Sequence, residues 1–415
     1  MSNDNQSLSP VGRDKERGIR ILRIINRFNL GGPTYNVAYL SKYMSDDYET
    51  LLVGGAKDDS EESSDFIVEN LGLKPIVIPE MKRAINLKND YSAYQKIKKI
   101  IQEFKPDIVH THASKAGTLG RLAAYSCGVP IIVHTFHGHV FHSYFGKAQT
   151  IFYKNIERFL AKKSTAIIAI SDKQKEELAN IYKICPSDKV AVIPLGFDLS
   201  KFHENSFEKR AIFRSNYNID EDEIVIAIIG RLVPVKNHAL FLEAIKIVSE
   251  KTTKKIRAFI IGDGEDRLII ENKAKELNIP FVDATKTDEK ALVTFTSWIK
   301  EIDMALAGSD IIALTSFNEG TPVSLIEAQA ANKPIVTTNV GGIENVVKPN
   351  DTALLCSSFN SENFADILLK LTENKEVRQK MSQNGWQHVK EKYHYTRLVA
   401  DMEQLYTKLL KNKAL

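Results

Sequence analysis

The sequence predicts an α/β protein made of two doubly wound parallel sheets in tandem. Three observations lead there. Strand-like apolar runs alternate with helical stretches along nearly the whole chain, the pattern of successive βα units. Most of those runs are short, β-branched and apolar on both faces, as strands covered by helices on two sides must be. The length of 415 residues exceeds what one compact core usually holds, so two domains of roughly 200 residues each are expected.

In the first half the predicted strands fall at 19–25, 50–54, 75–78, 107–111, 130–135 and 166–170. In the second they fall at 190–193, 225–230, 257–262, 292–295, 311–314, 335–338 and 352–355. Helical periodicity lies between them, for example over 34–44, 93–103, 239–250 and 361–371. A hinge is expected after Pro194-Leu195-Gly196, followed by a charged irregular stretch, 198–223, with no strand pattern before Val225. The last periodic segment, 396–410, follows Tyr393 and Tyr395. It reads as a terminal helix that packs at the domain junction or returns to the first domain. The domain expectation is therefore a loose tail over 1–18, a first domain over 19–195, a second over 196–390 and a terminal helix over 391–415. No solenoid period is evident.

Composition narrows the function classes. Hydrophobic content of 43% and charged content of 26% are ordinary for a soluble globular chain. A net charge of +4, with no zinc-finger or RNA-binding pattern, gives no ground for a nucleic-acid partner. Cys127, Cys185 and Cys356 are far apart and suggest neither a disulfide framework nor a metal site, so a reducing, cytoplasmic setting is expected. The polar N-terminus lacks the apolar core of a signal peptide. No run reaches the roughly 18 apolar residues that a membrane span needs.

The strongest chemical signal is the acidic segment 316–330. It places Glu319 just beyond the apolar strand 311–314 and Glu327 inside the following helix. Carboxyl ends of strands in open α/β sheets are where ligands bind. Gly320 and Thr321 turn the chain, Pro322 suits a helix start, and Val323 follows it. Two acids at one helix entrance suit a ligand rich in hydroxyls that also carries phosphate, as a nucleotide sugar does. Glu319 is placed to accept sugar hydroxyls or to stabilise positive charge at the anomeric carbon, and Glu327 to accept ribose hydroxyls. A solvent-facing helix residue is the bland reading of Glu327.

The second signal is the run from Ile228 to His238. The strand ends at Gly230, and Arg231 and Lys236 lie just beyond. Guanidinium offers phosphate a planar fork and the ammonium a mobile point charge, so this pair can neutralise a departing diphosphate. Alone, it is equally well a solvated basic loop. Gly341 and Gly342 follow the strand 335–338 and can turn backbone N–H groups toward phosphate, though glycine pairs also serve ordinary turns. Gly262 ends the strand 257–262, and Trp298 after 292–295 borders either a base or the core. In the first domain Gly31, Gly32 and Thr34 form a loop after the first strand, with neither GxGxxG nor a Walker lysine.

Histidines form two clusters, His110/His112 and His134/His137/His139. The spacings admit zinc, but no carboxylate completes a site and no metal is expected. His137 and His112 read instead as cleft residues whose neutral rings bond sugar or phosphate oxygens, while His110 and His134 suit structural roles. Arg121 is placed for a local salt bridge or an acceptor. The stretch 145–163 reads as an amphipathic helix, with Lys147, Lys154, Arg158 and Lys162 near helical spacing and Ile151, Phe152, Phe159 and Leu160 around it. Such a surface suits an anionic lipid interface; the bland reading is a core-packed helix with a solvated face.

Taken together, the segments LGGPT, THASKAGTLGR, TFHGHVF, AISDKQKEEL, VIPLGFDLSKF, GRLVPVKN, IGDGE, FTSW, TSFNEGTPVSLIEA and TNVGG resemble the retaining GT-B glycosyltransferases of family 4. The likeness spans about residues 19–410 and is similar in its histidine segment to bacterial enzymes of surface-polysaccharide or lipid-linked glycan synthesis. The resemblance implies two Rossmann-like domains facing across a cleft, a UDP-linked donor held by the second domain, and a glycan or lipid-linked acceptor. It implies that Arg231 and Lys236 bind the diphosphate, Glu319 the sugar and Glu327 the ribose. It also places His137 on the donor sugar and Gly32 near donor phosphates and acceptor. Ser297 and Asn345 depart from the family pattern, where a glycine and an acid are common. The implied reaction retains anomeric configuration, needs no metal or cofactor, and takes place in the cytoplasm or at the inner membrane face. The alternatives are an enzyme like the UDP-N-acetylhexosamine 2-epimerases, a phosphorylase on the same architecture, and a non-catalytic binder of nucleotide sugars or glycans.

Overall fold

The computed structural model describes residues 17–28, 32–56, 65–82, 84–137 and 147–414. Gly31, His139 and most of the expected N-terminal tail lie outside these residues. The chain divides into two units, one of residues 1–197 with 394–415 and one of residues 198–393.

The first unit holds a seven-stranded sheet. Its strands are β1 (Ile19–Arg27), β2 (Tyr48–Gly55), β3 (Ile76–Val77), β4 (Ile108–His112), β5 (Ile131–Phe136), β6 (Ala166–Ala169) and β7 (Val190–Val192). The order is β3-β2-β1-β4-β5-β6-β7, and every pairing is parallel. The order reverses between β1 and β4, which makes that junction the topological switch point. One face buries Leu22, Ile24, Val109 and Ile132 under the helices Leu87–Phe104 and Ser114–Ser126. The first of these helices begins at Asn86, whose side chain accepts the Asn89 N–H at 3.0 Å, the bond that ends an exposed helix start cleanly.

The other face buries Ile21, Ile108, Ile131 and Val133 against Leu398, Val399, Met402, Tyr406 and Leu410 of the helix Tyr395–Ala414. Their spacing keeps an apolar stripe on one side of that helix. Of the two placements open in the sequence, the helix therefore takes the return to the first unit.

The second unit repeats the design. Its strands are β8 (Ile224–Ile229), β9 (Ile256–Ile261), β10 (Phe281–Asp283), β11 (Val293–Ser297), β12 (Ile311–Leu314), β13 (Ile335–Thr338) and β14 (Ala353–Cys356). They order as β10-β11-β9-β8-β12-β13-β14, again all parallel, with the switch point between β8 and β12. The helices His238–Lys251 and Ser361–Glu373 cover one face with Leu240, Ile245, Phe364 and Leu368.

The structure corrects two expectations. The stretch 198–223 is helical over Ser200–His203 and Ser206–Asn216, because Phe202 and Phe213 give its charged sequence an apolar anchor at each helix. Strand β10 was not legible in three residues flanked by turns.

Candidate functional site

In the second unit the site grows from the two strands at the switch point. β8 ends at Ile229, and Gly230 leads into the loop that carries Arg231 and the short turn Pro234–Lys236. β12 ends at Leu314, and its loop carries Ser316, Glu319, Gly320 and Thr321 before Pro322 opens the helix Val323–Ala330.

Backbone and side-chain bonds stitch the two loops together. Phe317 N–H donates to the Val235 carbonyl at 2.8 Å, and Thr315 Oγ1 donates to the Lys236 carbonyl at 3.0 Å. This brings Lys236 Nζ to 2.6 Å from Glu319 Oε1, the same oxygen that accepts from Ser316 Oγ at 2.6 Å. Ser316 is itself held by Thr338 Oγ1, which donates to its carbonyl at 2.7 Å. The Lys236 and Glu319 side chains are 21% and 10% exposed, so the pair is screened less than a surface pair. Arg231 meets Glu265 at 3.1 Å, with both side chains at least half exposed, an arrangement worth little by itself.

Glu327 lies in the helix after Glu319, and its carboxylate accepts no hydrogen bond among the described residues. Burial pushes its pKa up to about 7, opposed by Lys201 and reinforced by Asp303. A carboxylate left without donors in a poorly solvated place is poised to accept them from a ligand.

The glycine pair packs tightly against the backbone of the acidic loop. A Cβ on Gly341 would stand 2.0 Å from the Glu319 carbonyl oxygen, and one on Gly342 2.0 Å from that of Gly320. The Gly342 N–H donates to the Glu319 carbonyl at 2.8 Å. That N–H is therefore spent on shaping the acidic loop rather than offered to phosphate.

In the first unit, His110, His112 and His134 are fully or almost fully buried. His134 belongs to the opposite sheet face from the other two: its Nδ1 meets Thr111 Oγ1 at 2.9 Å, and its ring occupies the space a Cβ on Gly117 would need. His112 Nδ1 lies 3.0 Å from His137 Nε2. Burial pushes the pKa of His112 well below the ordinary range and that of His137 down to about 3, so both are neutral imidazoles. Among the described residues no group of three or more His, Cys, Asp or Glu is arranged to hold a metal ion.

Residues 30–201 match Glycosyltransferase Family 4, and residues 209–388 match Glycosyl transferases group 1. The UDP-Gal:alpha-D-GlcNAc-diphosphoundecaprenol alpha-1,3-galactosyltransferase of Escherichia coli is 31% identical over 342 residues, 82% of this chain and 85% of the relative. The chain belongs to glycosyltransferase family 4. The capsular polysaccharide biosynthesis glycosyltransferase CapM of Staphylococcus aureus is 26% identical, over 81% of this chain and 85% of the relative. Among solved structures, Anabaena HepE in complex with UDP and glucose superposes with a TM-score of 0.77 at 17% identity, over 94% of this chain and all of that one, a likeness of fold.

In this family 4 glycosyltransferase, the residues expected from sequence group by unit. Gly230, Arg231, Lys236, Glu319, Gly320, Thr321, Pro322, Val323, Glu327, Gly341 and Gly342 sit on the loops and helix starts at the carboxyl ends of β8, β12 and β13. Gly262 closes β9 and Trp298 follows β11, 39% exposed. Ser297, the last residue of β11, takes a positive φ of 57°, which explains why a glycine is expected there. Its hydroxyl donates to Asp263 Oδ2 at 2.8 Å, beside a cavity of about 280 Å³ that also reaches Arg267, Asp283 and Thr285. In the first unit, Gly32 begins the helix Gly32–Tyr43, and Thr34 is buried within it. Arg121 makes the local salt bridge, to Glu157 at 2.7 Å.

Sequence reasoning missed Ser316, Glu265, Arg23 and Tyr406. Only Arg23 carried a signal, a charge flanked on both sides by the apolar residues Ile21, Leu22, Ile24 and Ile25 of β1.

The glycosyltransferase's helix Lys147–Lys163 leaves Ile151, Phe152 and Phe159 more than half exposed. Lys163 Nζ lies 3.5 Å from the Tyr125 ring centroid, and Tyr125 is also exposed. Leu160 and Ala161 face the core. Residues 145 and 146 of the expected helix lie outside the described residues. Among the described residues no helix is long and apolar enough to cross a membrane.

Proposed function

We propose that this glycosyltransferase moves a sugar from a UDP-linked donor to a glycan or lipid-linked acceptor in cell-surface polysaccharide synthesis, with retention and without a metal. The observation that carries the reading is the Lys236–Glu319 pair, with Arg231 on the same loop as Lys236, at the switch point of the second sheet. An ammonium whose one ion pair among the described residues is to a carboxylate, with a second cation on the same loop, suits a diphosphate. When the diphosphate arrives, Lys236 turns to it and frees Glu319 Oε1 for the hydroxyls of the sugar. Glu327 accepts from the ribose.

In the transfer step the acceptor hydroxyl oxygen bonds to the anomeric carbon as the bond from that carbon to the diphosphate oxygen breaks. The acceptor proton passes to the leaving phosphate on the same face. Arg231 and Lys236 stabilise the charge that develops on the diphosphate. His112 and His137 of the first unit bond the hydroxyls of the transferred sugar. The names of the relatives support the class: the E. coli enzyme takes UDP-Gal and a diphosphoundecaprenol-linked sugar, and CapM serves capsular polysaccharide. The exposed side chains of Ile151, Phe152, Phe159 and Lys162 on the helix Lys147–Lys163 would rest on an anionic membrane surface, where a lipid-linked acceptor is found.

The test is a donor screen that reads nucleotide release, with and without lipid extract, on wild type and Glu319→Ala. UDP-sugars should turn over only with acceptor present, without loss on adding EDTA, and Glu319→Ala should be inactive. Turnover of GDP-sugars alone would overturn the donor assignment. UDP release without an acceptor would favour an epimerase. Failure to sediment with anionic liposomes would remove the membrane surface.

A further inference from the structure

On the face of the first sheet that carries the helix Tyr395–Ala414, the pleat stacks residues in layers. Parallel register sets Ile21 beside Ile108, Arg23 beside His110 and Ile25 beside His112. The lowest of these layers is apolar. The next holds a guanidinium, an imidazole and, from the helix, a phenol, all with no exposed surface.

Arg23 Nη1 donates to His110 Nδ1 at 3.0 Å and to the Tyr406 hydroxyl at 2.9 Å. The same hydroxyl lies 2.7 Å from His110 Nδ1. Guanidinium can only donate, so His110 Nδ1 must be the bare nitrogen. The ring proton is then on Nε2, which donates to Thr135 Oγ1 at 2.7 Å. Tyr406 in turn accepts from Arg23 and donates to Nδ1.

His110 is thus held at both nitrogens, in one tautomer and one ring plane. Its ring packs against that of His112, with centroids 4.1 Å apart and planes at 36°. His112 Nδ1 meets His137 Nε2 at 3.0 Å. One proton occupies that contact. Whichever ring owns it, the two outer nitrogens, His112 Nε2 and His137 Nδ1, together present one N–H and one lone pair. Both atoms are buried and without a partner among the described residues. Nitrogens of opposite hydrogen-bonding sense suit hydroxyl groups, which both donate and accept.

Arg23 is costly where it sits. It lies in the middle of a central parallel strand, makes no ion pair among the described residues, and leaves Nε and Nη2 without partners. Burying such a charge is unfavourable, and apolar residues of similar volume often replace buried charges without loss of stability. A local violation of this kind is expected where function uses the group.

We propose that Arg23 and Tyr406 are positioning residues that fix His110 and, through its ring, aim the His112–His137 pair. The proposal rests on the reading that this pair meets the donor sugar. The experiment uses the full chain with ¹⁵N-labelled histidine, as wild type, Arg23→Met and Tyr406→Phe, and reads imidazole nitrogen spectra, Tm and transfer kinetics.

Arg23→Met should keep or raise Tm and lower kcat about ten- to a hundredfold with donor KM nearly unchanged, the effect expected of misplaced groups. It should also replace the single His110 Nε2–H form with a mixture. Tyr406→Phe should keep the tautomer, lower kcat less, and shift the His112 and His137 signals. Unchanged His112 and His137 signals in both variants would overturn the proposal, as would a kcat loss that only follows lost stability. Should Arg23→Met fail to fold, Tyr406→Phe decides by the same criteria. If wild type turns over no nucleotide sugar, the functional reading fails, but the imidazole spectra still decide the positioning.

Discussion

Glu327 ties stability to pH and to ligand in a way that can be measured directly. Burial raises its pKa from the ordinary 4.5 to about 7. Between those two values the folded protein binds more protons than the unfolded chain, so stability falls as pH rises. The contribution is fully present below pH 4.5 and is lost as pH passes through about 7. The difference in pKa corresponds to at most about 3 kcal/mol. Glu327→Gln removes the titrating group and keeps the shape. The variant should therefore gain stability over wild type as pH rises from 5 to 8, approaching that figure at the upper end. Donor binding should move the opposite way. Ribose hydroxyls donate to an ionised carboxylate, so UDP affinity of wild type should rise through pH 7 with proton release, and the Gln variant should bind weakly at every pH. Denaturant unfolding at several pH values, with calorimetry of UDP binding in buffers of different ionisation heat, tests both halves. A stability gap between the two proteins that does not change with pH would refute the reasoning.

Lys236→Ala should lower kcat about a hundred- to a thousandfold, as loss of a transition-state charge partner does, in the nucleotide-release assay. Glu265→Gln frees Arg231 from its surface partner and should tighten UDP binding about two- to fivefold at low salt, with the gain lost at high salt. Arg121→Leu strands the buried Glu157 carboxylate and should cost about 3–5 kcal/mol by denaturant unfolding, most of it recovered when Glu157→Leu is added.

Much of the fold was legible because β-branched runs covered on both faces read plainly, and each predicted strand recurs within a few residues. What could not be read was decided by tertiary contact. The helix Ser206–Asn216 carries four charges in eleven residues and is held by Phe213, which fills the space beside Gly308. Strand β10 exists through its pairing with β11. In the site, Lys236 and Glu319 were visible as residue types at strand ends, but their direct contact depends on bonds between loops 79 to 83 residues apart. Gly342 looked like a phosphate donor because sequence cannot show that the Glu319 carbonyl already occupies its N–H. Tyr406 was invisible as a polar partner because 296 residues separate it from His110, and in its own helix it reads as one more apolar position.

That helix also bears on how the protein is made. The core of the first unit takes Leu398, Met402 and Leu410 from the end of the chain. As the polypeptide leaves the ribosome, the first sheet must wait, with Ile21, Ile108 and Ile131 uncovered, while the second unit is synthesised in full. The second unit needs nothing made after residue 393 and can fold while the first is still open. A stop codon near residue 395 would thus injure the part of the molecule translated earliest.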